Sequence, residues 1–124
     1  MITPSDRSGA LESVLLVDDD ASGRIVLGIS LRQAGYRVRS SGDGQEALKI
    51  LRREAFNWLI TDARMEPMNG FALSIAASKV QPELRIIMIS GLCSAENMNG
   101  YPIERFFPKP IAVDQLLNSM HGLK

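Results

Sequence analysis

Four short apolar runs in this chain each stop at residues that phosphoryl chemistry can use. The run at 14–17 stops at Asp18, Asp19 and Asp20, the run at 58–61 at Asp62, and the run at 86–89 at Ser90. Phe106 and Phe107 lead through Pro108 to Lys109. Segments of helical length separate the runs. Strands joined by such crossovers lie parallel in one sheet, covered on both faces by right-handed connections. All four polar ends then meet on one edge. In open α/β sheets that carboxyl-end edge is where ligands bind.

Periodicity and punctuation supply the elements. Residues 13–17 form the first strand. Leu27, Leu31 and Ala34 recur at helical spacing over 21–34, and Gly35 supplies the stop. Ile25, Val26 and Ile29 make this helix apolar on more than one face. Tyr36 and Val38 alternate with Arg37 and Arg39, the pattern of a half-exposed edge strand. Asp43 with Glu46 three residues later reads as a capping box, opening a helix whose buried face is Ala47, Leu48 and Leu51. Strand three spans 57–61. A loop with Pro67 and Asn69-Gly70 follows, then a helix over 71–80 ended by Gln81-Pro82. Strand four, at 84–89, is continuously apolar. Asn97, Asn99, Gly100 and Pro102 disfavour a long helix within 91–102, so only a short one is expected there. Residues 104–107 form a brief fifth strand, and Val113, Leu116, Leu117 and Met120 place an apolar stripe on a final helix.

The 124 residues fit one domain. Residues 1–12, with Pro4, Ser5, Asp6, Ser8 and Gly9 and little to bury, are expected to be a flexible extension, leaving 13–124 as the domain. Fourteen basic and fourteen acidic side chains cancel, so nothing steers the chain as a whole to nucleic acid or an anionic membrane. The pairs Arg37/Arg39 and Arg52/Arg53 read as solvated faces. A single cysteine, Cys93, forms no internal disulfide and fits a reducing compartment. No run is long and apolar enough to span a bilayer, and the N-terminus lacks a signal peptide's apolar run, so a cytoplasmic location is expected.

Asp18, Asp19 and Asp62 in one pocket repel one another unless a cation answers them. A few hard oxygen ligands, with the remaining positions left to water and a phosphoryl group, suit Mg²⁺. With one histidine and one cysteine far apart, the chain offers no zinc set. A carboxylate is also a nucleophile toward phosphorus, giving an aspartyl-phosphate. Cation and lysine then neutralise charge on the transferring oxygens, and a hydroxyl hydrogen-bonds one of them. Asp62, Lys109 and Ser90 supply these roles. Asp20 reads as a helix cap, His121 as a partner for the last helix's dipole, and Met65 and Met68 as packing beside the loop.

At these residues the chain resembles the receiver domain of two-component response regulators. The match runs in order through Leu15-Leu16-Val17-Asp18-Asp19-Asp20, Asp43-Gly44-Gln45-Glu46-Ala47-Leu48, Asp62 to Gly70, Ser90 and Lys109-Pro110. The resemblance implies a doubly wound, flavodoxin-like (βα)5 fold with strand order 2-1-3-4-5, here with a shortened fourth helix. It implies that Asp62 is the phosphoacceptor, and that Asp19 and Asp62 bind Mg²⁺ directly. Asp18 then acts through water, and the backbone carbonyl of Arg64 completes the protein ligands. Ser90 matches the family's hydroxyl position, Lys109 its lysine, and Phe106 its switch aromatic; the peptide before Pro110 is expected to be cis. The donor is a histidine kinase or phosphotransfer protein, and the output is a partner interaction without direct nucleic-acid or membrane binding.

Two departures stand out. In Met65-Glu66-Pro67-Met68-Asn69-Gly70 the proline is shifted by one place and an asparagine replaces the family's aspartate. The side chain of Arg64 sits two places beyond the acceptor, where bulk and charge can shield the site or pair with phosphate. A receiver fold that binds partners without phosphorylation remains an alternative, as does a haloacid-dehalogenase-like phosphatase using Asp18 as nucleophile and Asp20 as acid, which leaves Asp62 idle.

Overall fold

The computed structural model of the chain describes residues 11–91 and 99–121. Cys93 and most of the stretch in which a short helix was expected lie outside the described residues. Five strands, β1 (Ser13–Val17), β2 (Arg37–Ser41), β3 (Trp58–Asp62), β4 (Arg85–Ser90) and β5 (Arg105–Pro108), form one sheet in the order β2-β1-β3-β4-β5. All neighbours pair in parallel. Among the described residues four helices connect or follow them: α1 (Ala21–Gln33), α2 (Gly44–Leu51), α3 (Gly70–Val80) and α4 (Val113–Met120).

Alternation along the central strands gives two cores. Leu15, Val17 and Leu59 face Ala47, Leu48 and Leu51 of α2 and Leu73 and Ala77 of α3. Their strand neighbours Val14, Leu16, Trp58 and Ile60 face Leu27 and Leu31 of α1 and Leu116 and Met120 of α4. Period-two alternation on strands buried from both sides explains why they read as unbroken apolar runs. β2, at the edge, is mostly exposed except for Ser41, as its alternating arginines foretold.

Most boundaries fall within a residue or two of those expected, and the local chemistry explains them. Asp20 caps α1, accepting the Gly23 N–H at 3.3 Å, and Gly35 follows the C-cap with φ +102°. Asn69 caps α3 by accepting the Ala72 N–H at 2.8 Å. At α2 the capping box is only half made. Asp43 accepts the Glu46 N–H at 2.7 Å, but the Glu46 carboxylate takes the Ser41 hydroxyl at 2.8 Å in place of the Asp43 N–H. That N–H turns to Ser41 Oγ at 3.3 Å, so the serine closing β2 relays the box.

Residues 1–10 of the expected extension lie outside the described residues; Glu12, at its end, is tied to the fold. Its carboxylate accepts the Trp58 Nε1–H at 2.9 Å and its carbonyl the Arg37 N–H at 2.9 Å. The guanidinium of Arg85 lies 4.2 Å from the centre of the same indole and pairs with Glu104. This cluster closes the amino-terminal edge of the sheet. Among the described residues, Ile25, Val26 and Ile29 on α1 form an uncovered apolar patch, 59%, 63% and 48% exposed. No helix among the described residues is long and apolar enough to cross a membrane.

Candidate functional site at the carboxyl edge

Strand register decides what meets at the other edge. Val17 pairs with Ser41 on one side and Thr61 on the other, Asp62 with Ile89, and Ser90 with Pro108. The residue after β1, the last of β3, the last of β4 and the residue after β5 therefore end in a row. Asp18, Asp19 and Asp62 each offer a carboxylate oxygen within 4.8 Å of the others. Asp62 is 8% exposed, Asp18 half-buried and Asp19 open to solvent.

Lys109 reaches into this cluster. Its Nζ donates to Asp62 Oδ2 at 3.0 Å and lies 3.8 Å from Asp18 Oδ2. Its backbone N–H donates to the Ser90 carbonyl at 3.1 Å, which fixes the lysine beside the end of β4. Burial pulls the Lys109 pKa down, but the hydrogen bond to Asp62 and the charges of Asp18 and Asp62 outweigh it and raise the value above 10.5. Asp18 moves the other way from most carboxylates. Burial raises its pKa most, and the charges of Asp62 and Asp19 add to this against the Asp20 N–H bond and the Lys109 charge. One lysine thus leaves the cluster with more negative charge than it answers.

The loop after Asp62 is shaped by a close approach. The Gly70 N–H donates to the Ala63 carbonyl at 2.9 Å, and a Cβ on Gly70 would stand 2.1 Å from the Asp62 carbonyl oxygen. Only glycine lets α3 start against the end of β3. The intervening loop holds a cis Glu66-Pro67 bond, which was not expected; after β5 the Lys109-Pro110 bond is cis, as the resemblance implied. Met65 is buried in the core, and Met68 lies over Gly44 at the start of α2. The Arg64 N–H donates to Asp62 Oδ1 at 3.3 Å while its side chain is exposed. Asp19, Ala63, Arg64, Met65, Glu66, Asn69 and Phe71 line an open cleft of about 440 Å³ here.

Of the remaining residues singled out in the sequence, Phe106 sits half-buried on β5 opposite Met88, and Ser90 is buried at the end of β4. Asp20, whose carboxylate caps its own helix, is poorly placed to be a general acid. One residue escaped the sequence argument altogether. Arg24 of α1 turns back and donates from Nη1 to the Asp18 carbonyl at 2.5 Å. A lone arginine on a helix carries no local signal that it reaches a strand end six residues earlier.

The donor set fits a hard divalent cation: three clustered carboxylates, one deep and one open, with room beside them for water and further oxygens. Comparison with known proteins points the same way. The family described as the response regulator receiver domain matches residues 14–121. The transcriptional regulatory protein GlrR of Escherichia coli is 33% identical over an alignment of 110 residues that covers 86% of this chain and 25% of that protein. The chain thus spans about a quarter of the length of that curated relative. A CheY-like response regulator receiver domain protein from Methanospirillum hungatei is 28% identical with a TM-score of 0.85, covering 90% of this chain and 91% of that one. A response regulator protein from Burkholderia pseudomallei, solved with a phosphorylated aspartic acid and a calcium ion, is 26% identical with a TM-score of 0.77, covering 86% and 65%.

Proposed function

The chain belongs to the response regulator receiver family of two-component signalling, and on that footing we propose that it accepts a phosphoryl group from a histidine kinase or phosphotransfer protein onto Asp62, with Mg²⁺ as companion cation. The observation that carries this reading is the buried Asp62 carboxylate, paired with Lys109 at 3.0 Å and clustered with Asp18 and Asp19. A structural salt bridge needs only one carboxylate. Three around one ammonium form an anion-rich pocket that a cation completes.

Asp62 attacks phosphorus as the phosphorus–oxygen bond forms and the phosphorus–nitrogen bond of the donor phosphohistidine breaks. The imidazole leaves with the electron pair and takes its proton from water. Lys109, whose pKa lies above 10.5, remains an ammonium at neutral pH and holds the transferring oxygens. Asp62 and Asp19 would hold Mg²⁺ directly, with Asp18 acting through water and the Arg64 carbonyl completing the set. Bound there, Mg²⁺ supplies charge neutralisation on the phosphoryl oxygens. The Ser90 hydroxyl donates to a phosphoryl oxygen, and Phe106, half-buried on the neighbouring strand, follows it inward, switching the surface seen by a partner.

The exposed aliphatic patch on α1 supports a protein donor. Ile25, Val26 and Ile29 lie on the helix that begins beside Asp18 and Asp19, where a partner delivering a phosphoryl group to Asp62 can rest.

Intact-mass analysis after incubation with a small-molecule phosphodonor tests the reading. A single phosphoryl adduct that requires Mg²⁺ and is lost in Asp62→Asn is the expected result. No adduct with the fold intact would leave phosphorylation-independent partner binding as the function.

A further inference from the structure

Asp18 and Asp19 are consecutive, and consecutive residues of an extended strand point to opposite faces of the sheet. Both nevertheless bring a carboxylate oxygen to within 4.8 Å of one another and of Asp62. The backbone at the end of β1 must therefore leave the extended course between them, and something must hold the turned peptide. β1 ends at Val17, so the Asp18 carbonyl lies beyond the strand pairing with β3. Arg24 takes it, through Nη1 at 2.5 Å.

Three contacts make this a built arrangement. The Asp18 N–H donates to the Ser41 carbonyl at 3.2 Å, so both backbone polar groups of Asp18 are tied. The guanidinium lies against the residue after Ser41: a Cβ on Gly42 would stand 3.4 Å from Arg24 Nη1 and 3.9 Å from Cζ. The Asp20 N–H donates to Asp18 Oδ1 at 2.9 Å, fixing the carboxylate from the other side. Arg24 gives its hydrogen bond to a carbonyl and not to a carboxylate, so its contribution is to geometry.

We propose that Arg24 is a positioning residue for the cation site: by clamping the Asp18 carbonyl over Gly42 it sets the turn that makes two adjacent aspartates converge. The inference rests on the cation reading above. Residues that orient ligands in this way typically contribute tenfold or more to metal affinity.

The test is titration of the apo protein with Mn²⁺, followed by water-proton relaxation and checked by competition with Mg²⁺. Arg24→Ala is expected to weaken Mn²⁺ binding by roughly tenfold. Arg24→Lys, which keeps one donor without the planar fork, is expected to lose less, roughly threefold. Gly42→Val carries two methyl branches beyond a Cβ position that already stands 3.4 Å from Arg24 Nη1, crowds the guanidinium off the carbonyl and is expected to weaken binding in wild type. In the Arg24→Ala background it should have no further effect, because the clamp is already gone. Wild-type affinity in Arg24→Lys and Gly42→Val would overturn the proposal even if Arg24→Ala failed to fold. Additive losses from Arg24→Ala and Gly42→Val would overturn it too, since independent effects mean no shared clamp. Wild-type protein that binds no Mn²⁺ would sink the cation reading and this inference with it, whereas tight wild-type binding retained in every variant would refute the clamp alone.

Discussion

Replacing Gly70 by alanine should separate a packing constraint from a helix preference, because the two act with opposite sign. Gly70 is the first residue of α3, where alanine ordinarily favours helix by up to about 1 kcal/mol. A methyl there, however, would meet the Asp62 carbonyl oxygen at 2.1 Å, and Ala63 Cα and Asp62 C at 3.0 Å. All three are backbone atoms, so no side chain can swing aside. Ordinary non-bonded contact needs the start of α3 to retreat by roughly 1 Å, at an overpacking cost near the upper end of about 1–3 kcal/mol. Less the helix gain, the net loss is about 2 kcal/mol. For a domain of this size that lowers Tm by roughly 8 °C. Gly28→Ala is the control: its methyl meets Arg32 Nη1 of the same helix at 3.5 Å and Leu16 Cδ2 of β1 at 4.0 Å, both ordinary contacts. That variant should gain about 0.5–1 kcal/mol. Urea unfolding with unchanged m-values measures both. A Gly70→Ala protein as stable as wild type would refute the close approach as the reason for glycine at the end of the β3–α3 loop.

Three further outcomes are expected. In Asp18 the folded protein binds a proton more tightly than the unfolded chain, because burial foremost raises its pKa above 3.8. Cation-free protein should therefore lose stability as pH rises from 3.8 through the higher folded value, Asp18→Asn should escape that loss and melt higher at neutral pH, and Mg²⁺ should narrow the gap; identical pH profiles would refute the assignment. The Lys109 pKa is raised, so the stability lost in Lys109→Met should be constant from pH 7 to about 10 and shrink only above 10.5, as thermal melts across that range would show. Ile25→Ser with Val26→Ser should slow phosphoryl transfer from a phosphorylated kinase by roughly tenfold and leave labelling by a small-molecule donor unchanged; equal losses from both donors would mean damage to the site and not to docking.

The alternation of apolar runs with helix-length segments, and the polar residue closing each run, determined the sheet and the edge at which Asp18, Asp19, Asp62, Ser90 and Lys109 lie. Period-two burial and helical spacing are local properties, written in consecutive residues, and a parallel sheet turns them into one shared edge without further information. The caps at Asp20, Asp43 and Asn69 are local in the same sense. What only the tertiary structure decided is how the pieces touch across it. That the Glu46 carboxylate takes the Ser41 hydroxyl and not the Asp43 N–H, that Glu12 is held by Trp58 across 46 residues, and that Gly70 must be bare against the Asp62 carbonyl all depend on which backbone lies opposite. Arg24 is the sharpest case. Its side chain reads as one more exposed charge on a helix, and its role exists only because β1 and the turn after β2 bring the Asp18 carbonyl and the bare Cα of Gly42 to the same guanidinium. Contacts of this kind depend on distances of tenths of an ångström between segments far apart in the chain, and no local periodicity records them.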